Sequence, residues 1–247
     1  FEWLTEYSPD QTMGEAPLTP SIESPICAHC GLYEHNCRNP FMSYGGANKP
    51  LVTIIFDSVS RGEDSQGELG KAGSSAVIRR IIQESSHETG VTLRDVRWVP
   101  MTRCTNWFKK MVDLKSRGNW CRYHVVDDLM RHPPAMVMPV GTTALGLLSH
   151  KSNAQEWNGR LLTYRGWPDD WLMLPKYALP RSDPRAEVKV ITGHPVFGPI
   201  PDTRILMVPI QSPRLIFGTQ NPVVYSQWAK SIVEALKMAK QGTKALS

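Results

Sequence analysis

The feature that most constrains this chain is a set of four cysteines. Cys27 and Cys30 form a C-x2-C pair, and Cys104 and Cys121 follow far downstream. Four thiolates suit an iron–sulfur cluster or a structural zinc, and either would tie the N-terminal segment to the middle of the domain. Buried free thiols are the remaining reading. The fifth cysteine, Cys37, lies in a loop with His35 and Asn36 and reads as a plain thiol or a substitute ligand. An odd count in this placement is not a secreted disulfide framework, and metal ligation in a reducing cytosol fits it better.

The chain between and beyond these cysteines alternates strand and helix patterns. Leu51–Phe56 is a compact β-branched run, and Ser74–Ser86 has apolar residues at helical spacing behind a serine cap. Val96–Met101 reads as a strand, Cys121–Arg131 as a helix, Ala135–Val140 as a strand and Thr142–His150 as a helix. Glu187–Thr192 reads as a fourth strand, ending at Gly193-His194-Pro195, and Ile205–Ile210 as an added edge strand. Val223–Lys240 closes the chain as an amphipathic helix, with Val224, Trp228, Ile232 and Leu236 along one side. This order predicts an α/β fold of three layers, α/β/α, around a mainly parallel four-stranded sheet. The 247 residues can bury a sizeable core, and no apolar run is long enough to span a bilayer.

Two segments stand outside the rhythm. Residues 1–26, rich in Pro, Ser, Thr and acidic residues, read as an extended arm. The start lacks an initiator Met and a signal pattern, which predicts a chain cut from a longer product or processed. Residues 156–184 hold Trp157, Tyr164, Trp167, Trp171 and Tyr177, and read as an insertion that packs on itself or docks a partner.

In a parallel sheet, ligands bind at the carboxyl ends of the strands. Asp57, Pro100, Gly141 and His194 mark those ends, so an acid and a histidine form a candidate site. The net charge of +5 and pI near 9.0 are compatible with nucleic acid as a partner. Arg97, Arg103, Lys109, Lys110, Lys115, Arg117 and Arg122 are interleaved with Trp98, Trp107, Phe108, Trp120 and Tyr123. That stretch is either a solvated loop or a surface for phosphates and stacked bases. Lys71 and Gly73, at a helix start, are further candidates for holding a phosphate.

In order and spacing, these elements resemble the uracil-DNA glycosylase superfamily, specifically its iron–sulfur branch, from about Cys27 to Pro195. The resemblance is carried by the C-x2-C pair, by Cys104 just after the second strand, and by Cys121 after sixteen intervening residues. It is also carried by Gly90-Val91 with Asp95-Val96, by Pro139-Val140-Gly141-Thr142-Thr143-Ala144, and by His194-Pro195. It implies a domain over residues 27–200, with residues 201–247 adding the C-terminal strand and helix. It implies a structural [4Fe–4S] cluster on Cys27, Cys30, Cys104 and Cys121, with zinc as the alternative. It also implies a protein that flips a base out of DNA and cleaves its N-glycosidic bond.

The departures from that family lie in its active site. Asp57 stands where the family has Glu, and Phe56 and Ser60 replace motif glycines, although Glu63, Asp64 and Gly67 match the motif's tail. The segment Gly67–Gly73 lacks the aromatic that stacks on uracil, Val99-Pro100 replaces a Thr-Asn reader, and Val196 replaces the serine after His-Pro. Proline offers neither a side-chain amide nor an N–H. A pocket without its hydrogen-bonding reader loses several orders of magnitude in discrimination.

Three functional expectations follow. The first is a DNA-associated protein without ordinary uracil excision, serving a replication or repair assembly with a polymerase or similar subunit, in a bacterial or virus-infected cytoplasm. The second is a glycosylase of altered specificity using Asp57 and His194. The third is a nucleotide- or protein-binding module that no longer touches DNA.

Overall fold

The computed structural model describes residues 27, 37–40, 42–105, 121, 124–125, 127–129, 131–149, 151, 153–165 and 204–246. The N-terminal arm, Cys30, residues 106–120 and residues 166–203 lie outside them. So do the expected strand Glu187–Thr192 and His194.

The described strands form one mixed sheet. They are β1 (Gly45–Gly46), β2 (Val52–Phe56), β3 (Val96–Pro100), β4 (Met136–Val140), β5 (Leu162–Arg165) and β6 (Arg204–Met207). Their order across the sheet is β1-β3-β2-β4-β6-β5. The pairs β2–β3, β2–β4 and β4–β6 are parallel, whereas β1 and β5 pair antiparallel with β3 and β6. β2, β3 and β4 are buried along their whole length. That burial explains their near-continuous apolar sequences, since a strand covered on both faces needs no polar side.

The period of two sorts these strands between two cores. Val52, Ile54 and Phe56 of β2 join Val96, Trp98, Met136, Met138 and Val140 in one core. Ile55 joins Val99 and Val137 in the other. The helices are α1 (Arg61–Gln66), α2 (Gly73–Glu84), α3 (Ser86–Thr89), α4 (Thr142–Ser149), α5 (Ala154–Trp157), α6 (Pro213–Gly218) and α7 (Pro222–Leu246). The first core is closed by Ile78, Ile81 and Ile82 of α2, Ile216 of α6, and Trp228, Ile232, Leu236 and Ala239 of α7. The α7 residues recur at helical spacing along one stripe, as the sequence predicts. The second core is closed by Ala144, Leu145 and Leu148 of α4, Ala154 of α5, and Val125 and Leu129 from helical positions between 121 and 131.

Four expectations need correction. The sheet is mixed and wider than four parallel strands, because short antiparallel strands cover both edges. The strand beside β4 is Arg204–Met207, so this segment lies inside the sheet between β4 and β5 and is not its edge. The edge is β5, drawn from the segment read as an insertion, where Leu162–Arg165 pairs antiparallel with β6. Last, α2 has no serine cap: Ala72 holds the cap position without a side-chain bond, and Ser75 turns back to the Ala72 carbonyl at 2.8 Å.

The register sets the functional end. Phe56 is level with both Pro100 and Val140, so β2, β3 and β4 end flush. The chain after β6 reaches the same level through a parallel bridge between Ile210 and Val140. Asp57, Met101, Gly141 and Gln211 therefore form a row along the carboxyl edge.

Candidate functional site

Asp57 is the centre of that row. Its Oδ1 accepts the Ala144 backbone N–H at 2.7 Å, and the Thr143 N–H also bonds to it. These are the orphan donors at the start of α4, where a carboxylate is favoured by both hydrogen bonding and the helix dipole. Gly141 makes the approach possible. It has φ 105°, and a Cβ there would lie 2.7 Å from the Asp57 carboxyl carbon. Burial pushes the Asp57 pKa up to about 6, against the lowering effect of the Ala144 and Thr143 N–H groups. The group joins the ends of β2 and β4.

The loop after Asp57 is zipped to the strand-end loop that carries Cys104. The Val59 N–H donates to the Thr102 carbonyl at 3.4 Å, and the Thr105 hydroxyl donates to the Val59 carbonyl at 3.2 Å. Glu63 and Asp64, the surviving tail of the motif, are both buried. Glu63 accepts from the Ser60 N–H at 2.9 Å, the Ser60 hydroxyl at 2.8 Å, the Gly70 N–H at 2.8 Å and the Ser75 hydroxyl. Asp64 accepts the backbone N–H groups of Arg38 at 3.0 Å and Asn39 at 2.8 Å, and its own carbonyl accepts from the Asn39 amide. The two carboxylates thus shape the loop and anchor the segment after Cys37. Gly73, with φ 60°, opens α2 where an added Cβ would lie 2.9 Å from the Ser60 side chain.

The basic candidates separate into different roles. Arg97 leaves the surface group: it is buried, with Nε and Nη2 on the Asp128 carboxylate at 2.7 and 2.6 Å and Nη1 on the Ala47 carbonyl at 3.1 Å. Its position on β3 faces the second core, so it needs this bidentate partner. Trp98 is also core, stacked on Phe56 with ring centroids 5.9 Å apart. The Arg103 Nε bonds the Met42 carbonyl at 3.0 Å, and its guanidinium lies 5.5 Å from the centre of the Tyr44 ring. Lys71 is exposed and pairs with Glu68 at 2.7 Å. Lys109, Lys110 and Arg117 lie outside the described residues.

Among the described cysteines, Cys37 meets Cys104 and Cys27 meets a histidine. Cys37 bonds the Cys104 thiol and lies 3.5 Å from the Thr105 carbonyl. That contact, followed by burial, raises the Cys37 thiol well above the ordinary cysteine range. Cys27 Sγ lies 3.6 Å from His124 Nε2. Cys121, three residues before His124, acts electrostatically on Tyr44, as does Arg103. Cys27, Cys104 and Cys121 are buried and Cys37 is partly so. Among the described residues, no three Cys, His, Asp or Glu side chains already stand as a metal-holding group. The donor set itself, four thiols with an adjoining imidazole, fits a soft-metal or iron–sulfur centre by its chemistry.

The row contains one residue that the sequence reading passed over. Gln211 follows Ile210, which bridges to Val140, and so stands level with Gly141. Its N–H donates to Asn158 Oδ1 at 2.8 Å, and its carbonyl accepts from Trp228 Nε1 at 2.9 Å. Two residues later α6 begins, presenting exposed Arg214 and a Leu215 that is 57% exposed. The signal available in the sequence was Ser212-Pro213, a proline opening a helix directly after a β-branched run.

Among the described residues, no helix is long and apolar enough to cross a membrane. No protein-family model matches the chain, and no curated protein matches it.

Proposed function

We propose that this chain is a DNA-associated, uracil-DNA glycosylase-like protein in which a cysteine-ligated centre braces a DNA-handling edge and ordinary uracil excision is absent. The observation that carries this reading is the flush carboxyl edge of β2, β3 and β4. There Pro100 brings no amide to read a base, and Asp57 is tied to the start of α4. Exposed Arg214 and Leu215 beside Gln211 support a nucleic-acid contact, since a cation beside an apolar wedge suits a phosphate and an adjacent base step. Bound at the cysteines, a [4Fe–4S] cluster or zinc would supply a cross-link between the N-terminal segment and the loop after β3. Such a protein would work beside a polymerase or another replication or repair subunit in the cytoplasm of a bacterial or virus-infected cell.

The second reading, a glycosylase of altered specificity, is favoured by one observation: a carboxylate with a pKa of about 6 at the strand ends. Excision assays on oligonucleotides carrying uracil, hypoxanthine, xanthine or a hypermodified pyrimidine separate the two. The first reading expects no cleavage of any of them. Cleavage abolished by Asp57→Asn or His194→Ala establishes the second. A titration with single-stranded and duplex DNA across salt concentrations tests both, because phosphate contacts weaken binding steeply as salt rises. Absence of binding at low salt defeats either reading and leaves a module that does not touch DNA.

A further inference from the structure

We infer that Cys37 supplies a thiolate to the cysteine centre, beside Cys104. The inference rests on the proposed metal-holding role of the cysteines and deepens it by naming a ligand outside the C-x2-C pattern. Three observations bear on Cys37. Its side chain bonds that of Cys104, and its Sγ also lies 3.5 Å from the carbonyl of the next residue, Thr105.

The segment that follows Cys37 is fixed. Buried Asp64 accepts both the Arg38 and Asn39 N–H groups, and the Asn39 amide returns to the Asp64 carbonyl. Asp64 belongs to α1, whose capping box of Ser60 and Glu63 holds the same loop. The loop from Val59 is in turn bonded to Thr102 and Thr105, on either side of Cys104. Cys37 and Cys104 are therefore linked by a continuous series of bonds that runs through Asp64, α1 and the Val59 loop, as second-shell partners hold metal ligands in register.

Cys27 lies against His124, three residues from Cys121, and Cys121 and Arg103 both act on Tyr44.

The test uses the full chain, purified without oxygen, with iron, sulfide and zinc measured per chain. The visible absorption and the electron paramagnetic resonance spectrum of the reduced protein are recorded alongside. Cys37→Ser is expected to lose at least half of the bound metal or to change the resonance spectrum, with Cys104→Ser as the positive control. Full metal content and an unchanged spectrum in Cys37→Ser overturn the inference while leaving the metal centre standing. A wild-type chain that binds neither iron nor zinc overturns the centre itself.

Where Cys37→Ser fails to fold by circular dichroism, thiol footprinting of the wild type decides. Iodoacetamide is expected to spare Cys37 in the loaded protein and to label it after the metal is stripped by a chelator. Labelling of Cys37 at full metal content refutes the ligand role.

Discussion

Replacing Gly141 with alanine tests whether the Asp57 clamp is what holds the carboxyl edge together. The added Cβ would fall 2.7 Å from the Asp57 carboxyl carbon and 2.8 Å from Oδ1, at a residue whose φ is 105°. The strained backbone costs about 1–3 kcal/mol for a residue with a side chain. Pushing the carboxylate off the α4 start forfeits a charged hydrogen bond worth about 1.5–3 kcal/mol. Together the loss is about 3–5 kcal/mol, allowing for partial relaxation. For a domain of this size that is a fall of roughly 6–20 °C in Tm. Urea unfolding of the wild type, Gly141→Ala, Asp57→Ala and the double variant completes the measurement. If the clash is with the carboxylate, the two substitutions couple by about 1.5–3 kcal/mol, because Asp57→Ala removes what the new methyl meets. Additive losses would refute the argument and leave only backbone strain at Gly141.

Three further outcomes follow from the same geometry. Asp57 has its pKa raised from 3.8 to about 6, so the folded state binds the extra proton and stability falls as pH rises through that window. Asp57→Asn should flatten this slope of roughly 3 kcal/mol, read as the urea midpoint against pH, and an unchanged slope would assign it to another group. Asp128→Ala strands the buried Arg97 charge and should cost about 3–5 kcal/mol, while Arg97→Met with Asp128→Leu recovers most of it; equal losses in both would argue against an unpaired-charge penalty. Lys71→Ala should change stability by less than about 0.5 kcal/mol, since its pair with Glu68 is exposed on both sides. If Lys71 meets a phosphate, the salt dependence of DNA binding loses about one unit of slope, and an unaltered slope removes it from the interface.

Much of the fold was legible because the signals are local. The β-branched run over Val52–Phe56, the strands Val96–Pro100 and Met136–Val140, and the helical stripe through Trp228, Ile232 and Leu236 each declare a period that burial then enforces. Asp57, Pro100 and Gly141 were placed at strand ends for the same reason. The site beyond them was less legible. Arg97 and Trp98 read as a basic, aromatic surface, but the pleat turns one toward Asp128 and the other onto Phe56. Glu63 and Asp64 read as the remnant of a catalytic motif, whereas their partners are the backbone and hydroxyl donors of neighbouring loops.

The sequence by itself determined that strands and helices alternate, which residues are apolar enough to fill two cores, and that four cysteines at telling spacing need a common explanation. Only the tertiary structure decided which segment lies beside β4, and so that Gln211 stands level with Gly141. It alone set Cys37 against Cys104 and put the Asp57 carboxylate over Gly141. The physical reason is the range of the interactions. Periodicity and propensity act over a turn or two of chain, whereas strand neighbours, buried ion pairs and thiol contacts join residues tens of positions apart. Those pairings depend on which crossover closes the best-packed sheet, and no short window of residues records that choice.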